Sequence, residues 1–290
     1  KKLNMNFDIK EGYIYARVDK KLKGANIEFS KISVGATQNL IIAACLASGK
    51  TILKNCAIEP EIIDLTNFLT SAGANIKWVA KRTCQIIGVN SLNQTKYSIM
   101  SDRIEAGTFS VAATVNQGKL RIKNFDPNVI KSELIFLKKI GAKIKILKDG
   151  ISVNGPKRIK NINNIQTKEY PNSLATDLQA QFMVLLCLAN GRSSITENIF
   201  ENRFMHVAEL KRLGARIVVK GNKATIYGPS KLNGAELMSS DLRASVALVL
   251  AAIVAKGKSV INRIYHLDRG YEKIETKLKK IGVKIRRIKK

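Results

Sequence analysis

Three arginines stand where local stability gives no reason for a cation. Arg203, Arg243 and Arg269 each fall at or near the start of a segment read as helical. The positive end of a helix dipole opposes a guanidinium there. A planar fork held in such a place suits a ligand with carboxylate or phosphate groups. Each arginine also has a carboxylate nearby, Glu201, Asp241 or Asp268, and a local ion pair is the competing reading. Acids share the same junctions. Asp102, Glu105, Asp177 and Asp241 all precede apolar segments, where capping alone accounts for an acid. Asp177 is set apart by Gln179 and Gln181, which follow it in apolar text. Polar side chains there either pair or face a cleft. A further candidate is Lys31-Ile32-Ser33-Val34-Gly35, ahead of Thr37 and an apolar helix. Backbone N–H groups at such a start can hold a phosphate, although GxxxxGK[ST] is absent and an ordinary cap fits equally.

The elements that carry these residues repeat. Gly73, Gly141, Gly214 and Gly282 follow amphipathic segments at spacings of 68, 73 and 68. Gly49, Gly118, Gly191 and Gly257 precede them in phase, and Asn55, Asn124, Asn198 and Asn262 follow that second set. Each unit reads as an uncharged apolar helix, a glycine at its C′ position, a short β-branched strand, an amphipathic helix and two short strands. The order is α-β-α-β-β. Helices apolar on most sides imply helices inside and sheets outside, the reverse of most α/β folds. Residues 1–30 carry only strand-like and loop text, as if they ended a further unit.

Composition narrows the class. The chain has 290 residues, 45% hydrophobic and 25% charged, as soluble globular proteins do. The longest apolar stretch, Ala244 to Ala255, falls short of a membrane span. The chain opens on Lys1, and its basic start lacks the apolar region of a signal peptide. Four scattered cysteines and two histidines offer neither a disulfide framework nor a zinc site, so a reducing cytoplasm is expected. The net charge of +28 first points to a polyanion. Its lysines are spread, Lys138, Lys139, Lys277, Lys279, Lys280 and Lys284 among them, and no RNA- or DNA-binding signature accompanies them. Solvated faces account for most of the charge.

The text around the candidate residues resembles the enolpyruvyl transferases, specifically the UDP-N-acetylglucosamine 1-carboxyvinyltransferase branch. KISVGAT, NCAIEPEIIDL, SDRIEAGTFSVAA, TDLQAQF, SSDLRAS, FENRFMHV and RIYHLDRGYE carry the resemblance, and the last two separate it from the shikimate-pathway branch. It runs from about Gly12 to the C-terminus. It implies a two-domain inside-out α/β barrel of repeated α-β-α-β-β units, with the active site in the cleft between the domains. Residues 1–100 would be the end of the first domain and 101–290 the second, of three units. The implied reaction moves the enolpyruvyl group of phosphoenolpyruvate to the 3′-hydroxyl of UDP-N-acetylglucosamine and releases phosphate. This is the first committed step of peptidoglycan synthesis, run in the cytoplasm with no cofactor, metal, nucleic acid or membrane. By the same resemblance Asp177 is the general base near the hydroxyl, and Arg203, Arg243 and Arg269 surround the anion with Asp241 beside them. Lys31, Ile32, Ser33, Val34, Gly35, Asp177 and Ile199 contact the nucleotide sugar, and Glu59 and Asp102 are acidic cleft positions.

Two departures from the family pattern matter. Its reactive-cysteine loop and its lysine–asparagine pair match nothing here, and Cys45, Cys56, Cys84 and Cys187 read as inert. The segment before Asp177, EYPNSLATD, carries an extra residue, with Ala175 where the family has proline. The expectation is therefore a C-terminal portion of the enzyme, inactive alone. A catalytically dead remnant that binds the UDP-sugar weakly, or a basic nucleic-acid-binding repeat protein, are the alternatives.

Overall fold

A computed structural model describes residues 2–171 and 173–288. It divides into two compact units: Lys1–Met100 with Glu169–Pro171, and Ser101–Lys168 with Asn172–Lys290.

Unit one opens with a two-stranded antiparallel ribbon, β1 (Asn6–Lys10) and β2 (Tyr13–Arg17). The strand β3 (Asn26–Glu28) leads into one copy of the repeat: α1 (Val34–Cys45), β4 (Lys50–Lys54), α2 (Pro60–Ser71), β5 (Asn75–Ala80) and β6 (Thr83–Ile87). Its sheet runs β3-β4-β6-β5, with β3 parallel to β4 and the rest antiparallel. Ile41, Leu53, Ile62 and Ile86 are fully buried in the core between this sheet and the two helices.

Unit two holds the repeat three more times. The first copy is α3 (Arg103–Val115), β7 (Lys119–Lys123), α4 (Lys131–Ile140), β8 (Lys143–Leu147) and β9 (Gly150–Asn154). The second has a lead-in strand, β10 (Ile165–Gln166), then α5 (Gln179–Leu188), β11 (Gly191–Thr196), α6 (His206–Arg212), β12 (Ile217–Lys220) and β13 (Lys223–Gly228). The third has β14 (Glu236–Met238), α7 (Leu242–Val254), β15 (Val260–Asn262), α8 (Tyr265–Asp268) and α9 (Ile274–Lys280). The text after Gly282 reads like the strand after Gly141, yet residues 283–288 form no strand.

The core explains the order of layers. The first helix of each copy, α3, α5 and α7, packs on the other two. Gln179–Cys187 are buried without exception, as are Ala244–Ala251. A helix without a polar face must be covered all round, so the helices lie inside and the sheets outside, as the sequence indicates. Among the described residues the strands stay divided over separate sheets, none of which closes. Gly107 lets α3 approach this centre. A β-carbon there would lie 2.5 Å from Cδ1 of the fully buried Leu178.

The repeat marks acquire physical meanings. Gly73, Gly141, Gly214 and Gly282 adopt φ of +97°, +111°, +103° and +94°, the left-handed turn that ends an amphipathic helix. The second glycine set departs from the expected C′ position. Gly49 and Gly257 lie beyond the helix ends, in the turn into the next strand, Gly191 opens β11, and after α3 the left-handed residue is Gln117, not Gly118. Asn55 donates its amide to Phe29 O and Asn198 to Thr167 O, so in these two copies the asparagine ties the repeat to the segment that leads into it.

Candidate functional site

The site in unit two is built at the starts of the buried helices. Asp102 and Asp241 are N-caps: each carboxylate accepts two backbone N–H groups, from Ile104 and Glu105 in one case and Arg243 and Ala244 in the other. Asp177 sits at the equivalent place, in the 3-10 turn Thr176–Leu178 ahead of α5, and caps nothing. Its Oδ1 instead accepts from Nη2 of Arg203 at 2.8 Å and from Nε of Arg243. The acids are related by the repeat, so the difference is one of use.

Among the described residues none of the three arginines pairs with the carboxylate beside it in sequence. Arg203 pairs with Asp177 rather than Glu201, and Arg243 pairs with Asp177 while Asp241 holds only its backbone. Asp268 is taken by the two-pronged Arg287, at 2.6 and 2.9 Å. Arg269 corrects the sequence reading. It is the C-cap of α8, where the dipole favours a cation, not at a helix start, and it is exposed. The structure does not join it to Asp177 through any ion pair among the described residues.

Charge sets the state of this cluster. Burial pushes the Asp177 carboxyl up, but the Arg243 hydrogen bond and the charges of Arg243, Arg203 and Arg103 outweigh it and hold the group below the ordinary carboxylate range. Asp177 therefore remains an anion, with a third of its side chain still reachable (31% exposed). Burial and the neighbouring Arg243 charge lower the Arg203 pKa, and Asp177 offsets part of that. Behind them His206 is 3% exposed. Burial drives its pKa down to about 4 despite the Asp241 charge, and its Nε2 finds no hydrogen-bond partner among the described residues.

Several members were not singled out from the sequence. Arg103 is buried directly after the Asp102 cap and contributes to the field on Asp177. Glu197 is 2% exposed and binds four donors. Glu133, also buried, accepts the backbone N–H of Ala175 at 3.0 Å, a bond that a proline there would not make. The only sequence signal for the two glutamates was an acid inside otherwise apolar, strand-like or helical text. Of the two glutamines after Asp177, Gln181 donates to Asp177 O and to Thr108. Gln179 is buried with its amide nitrogen unpartnered among the described residues.

Chains resembling this one share a single chemistry. The family model of EPSP synthase (3-phosphoshikimate 1-carboxyvinyltransferase) matches residues 1–278. A UDP-N-acetylglucosamine 1-carboxyvinyltransferase of Pelagibacter ubique is 62% identical over 287 residues, 99% of this chain and 68% of its own length. The chain belongs to the enolpyruvyl transferase family. Relatives under the same name from Shewanella halifaxensis and Rickettsia akari are 50% and 48% identical over the same shares. Among solved structures, the enolpyruvyl transferase NikO of Streptomyces tendae superposes with a TM-score of 0.88 at 23% identity, covering 98% of this chain and 70% of that one. An EPSP synthase of Acinetobacter baumannii gives 0.75 at 17%, with 98% and 69% covered. These two establish the shared fold.

The remaining candidates of this enolpyruvyl transferase lie elsewhere. In unit one, Ser33 caps α1 through Ala36 N, and Lys31, Val34 and Gly35 are exposed beside the half-buried Ile32. Glu59 precedes α2 without capping it, one oxygen buried and unpartnered among the described residues. All four cysteines are buried and unbonded to one another. Burial pushes the Cys56 thiol to about 11 and the Cys84 and Cys187 thiols to about 12, which leaves no thiolate at neutral pH. Among the described residues no three metal-binding side chains gather, and no helix is long and apolar enough to cross a membrane.

Proposed function

We propose that this chain carries the enolpyruvyl-transfer chemistry of its family, with phosphoenolpyruvate as donor and the 3′-hydroxyl of UDP-N-acetylglucosamine as acceptor. The observation that carries this reading is the single carboxylate held by two guanidinium groups from separate helical junctions. The acceptor oxygen adds to C2 of the donor while C3 gains a proton. Loss of that C3 proton then expels inorganic phosphate and leaves the enol ether. Asp177 takes the hydroxyl proton. Arg203 and Arg243 turn to the donor's phosphate or carboxylate, with Arg269 and Asp241 at the same site. As the forks leave Asp177, the field that lowers its basicity weakens, so donor binding prepares the base. Lys31, Ile32, Ser33, Val34, Gly35 and Ile199 contact the nucleotide sugar. The product enters peptidoglycan synthesis, and the site of action is the cytoplasm.

The test is two measurements on the purified chain. Calorimetry with UDP-N-acetylglucosamine is expected to show binding that Asp177→Asn weakens by roughly tenfold. Phosphate release from phosphoenolpyruvate is expected to depend on the UDP-sugar wherever turnover is observed. Failure of the chain to bind either substrate overturns the reading.

A further inference from the structure

We infer that Glu197 is a positioning residue that holds Asp177 and Arg203 in one arrangement. It is buried, and its two oxygens receive four hydrogen bonds. Oε2 accepts from the hydroxyl of Thr176, the residue before Asp177, at 3.0 Å. Oε1 accepts from Thr167 Oγ1 at 2.7 Å, from Ile199 N at 2.9 Å and from Phe200 N at 3.2 Å. The Phe200 ring in turn lies under the Arg203 guanidinium, 4.7 Å from its centroid. The contacts form a closed circuit: Glu197, Thr176, Asp177, Arg203, Phe200 and back to Glu197. One arm fixes the carboxylate and the other the platform of its cation.

The arrangement is costly unless it serves placement. Glu197 makes no ion pair among the described residues, although its charge acts on Arg203, so its donors carry most of the cost of burying it. These donors come from three separate segments, at residues 167, 176 and 199–200. A packed apolar side chain would fill the space at less cost but would tie none of the segments to another. Glu197 touches no reacting atom in this proposal. It acts through Thr176 and Phe200.

This inference rests on the proposed function for its ligand but not for its geometry, and the experiment separates the two. Asp177 is followed by carbon-13 carboxyl titration, assigned with Asp177→Asn, in the wild type, Glu197→Ala and Glu197→Gln. UDP-N-acetylglucosamine affinity is measured on the same samples. In folded Glu197→Ala the Asp177 carboxyl is expected to rise toward the ordinary range near 4 and the affinity to fall about tenfold. Glu197→Gln retains an oxygen for the Oε1 donors and is expected to restore both values, a rescue that mere volume filling does not predict. If Glu197→Ala does not fold, Thr176→Val removes one arm alone and is expected to move Asp177 in the same direction. A folded Glu197→Ala or Thr176→Val whose Asp177 titrates as in the wild type overturns the inference. A wild type that binds no UDP-sugar defeats the proposed function, while the titration still decides the role of Glu197.

Discussion

Asp177 and Asp241 occupy the same place in successive copies of one repeat, yet only Asp241 caps its helix. The difference lies in which arginines reach each acid. Arg243→Ala removes a fork from Asp177, and is expected to abolish the rise in melting temperature that phosphoenolpyruvate gives the wild type. Arg243→Lys keeps the charge without the fork and is expected to retain only part of it. A scan in which Arg243→Ala shifts as far as the wild type would refute this assignment. His206 makes a second prediction. Its folded pKa, about 4, lies below the unfolded value near 6.5, so folding keeps it neutral. That contribution is fully present above pH 6.5 and is lost as pH falls toward 4. His206→Gln, which cannot titrate, is expected to flatten the fall of melting temperature in that window, with the charges of Asp241 and Arg203 around the site unchanged. The residues that do chemistry were legible as types at junctions. Their pairing was not, because the carboxylates adjacent in sequence lost to one 26 and 66 positions away.

At the scale of elements, the buried helices position the site because their starts converge while their bodies pack. Phe182, fully buried in α5 and edge-on to Phe136, anchors this packing. Phe182→Ala is expected to cost about 3–5 kcal/mol in urea unfolding. Gly107 tests the link from packing to chemistry. A methyl at Gly107 meets Leu178, which has no free space and is the neighbour of Asp177. Gly107→Ala is expected to cost about 1–3 kcal/mol and to weaken UDP-sugar binding beyond what the stability loss explains. Equal affinity in the two proteins would separate α3 packing from the site. The helices were readable because an uncharged run of ten or more residues has few other fates. In the fourth copy residues 283–288 form no strand despite strand-like text, since a strand needs a partner as well as a propensity.

Over the whole molecule, part of the charge of +28 is spent at helix ends. Lys138 and Lys139 end α4, and Lys279 and Lys280 end α9, all exposed. A cation is favoured at a helix C-terminus. At about 0.15 M salt, random duplex is expected to bind no more tightly than the non-specific range of about 10⁻⁶ M. Its addition is expected to leave UDP-sugar affinity unchanged in calorimetry. Competition by duplex at that salt would return nucleic acid to consideration.

The repeat, the helix-inside order and the family of this chain were set by the sequence alone, because they rest on periodicity and local text. The left-handed glycines after the amphipathic helices and the caps at Asp102 and Asp241 belong with them, each decided within a few residues. What only the tertiary structure decided is which groups meet. Arg269 went to a helix end, and Arg203 and Arg243 both turned to Asp177. Glu133 and Glu197, buried carboxylates with no motif to mark them, became supports of the segment that carries Asp177. Such choices depend on distances between segments far apart in the chain. A buried polar group takes whichever partner the packing brings within about 3 Å, and no local pattern records that.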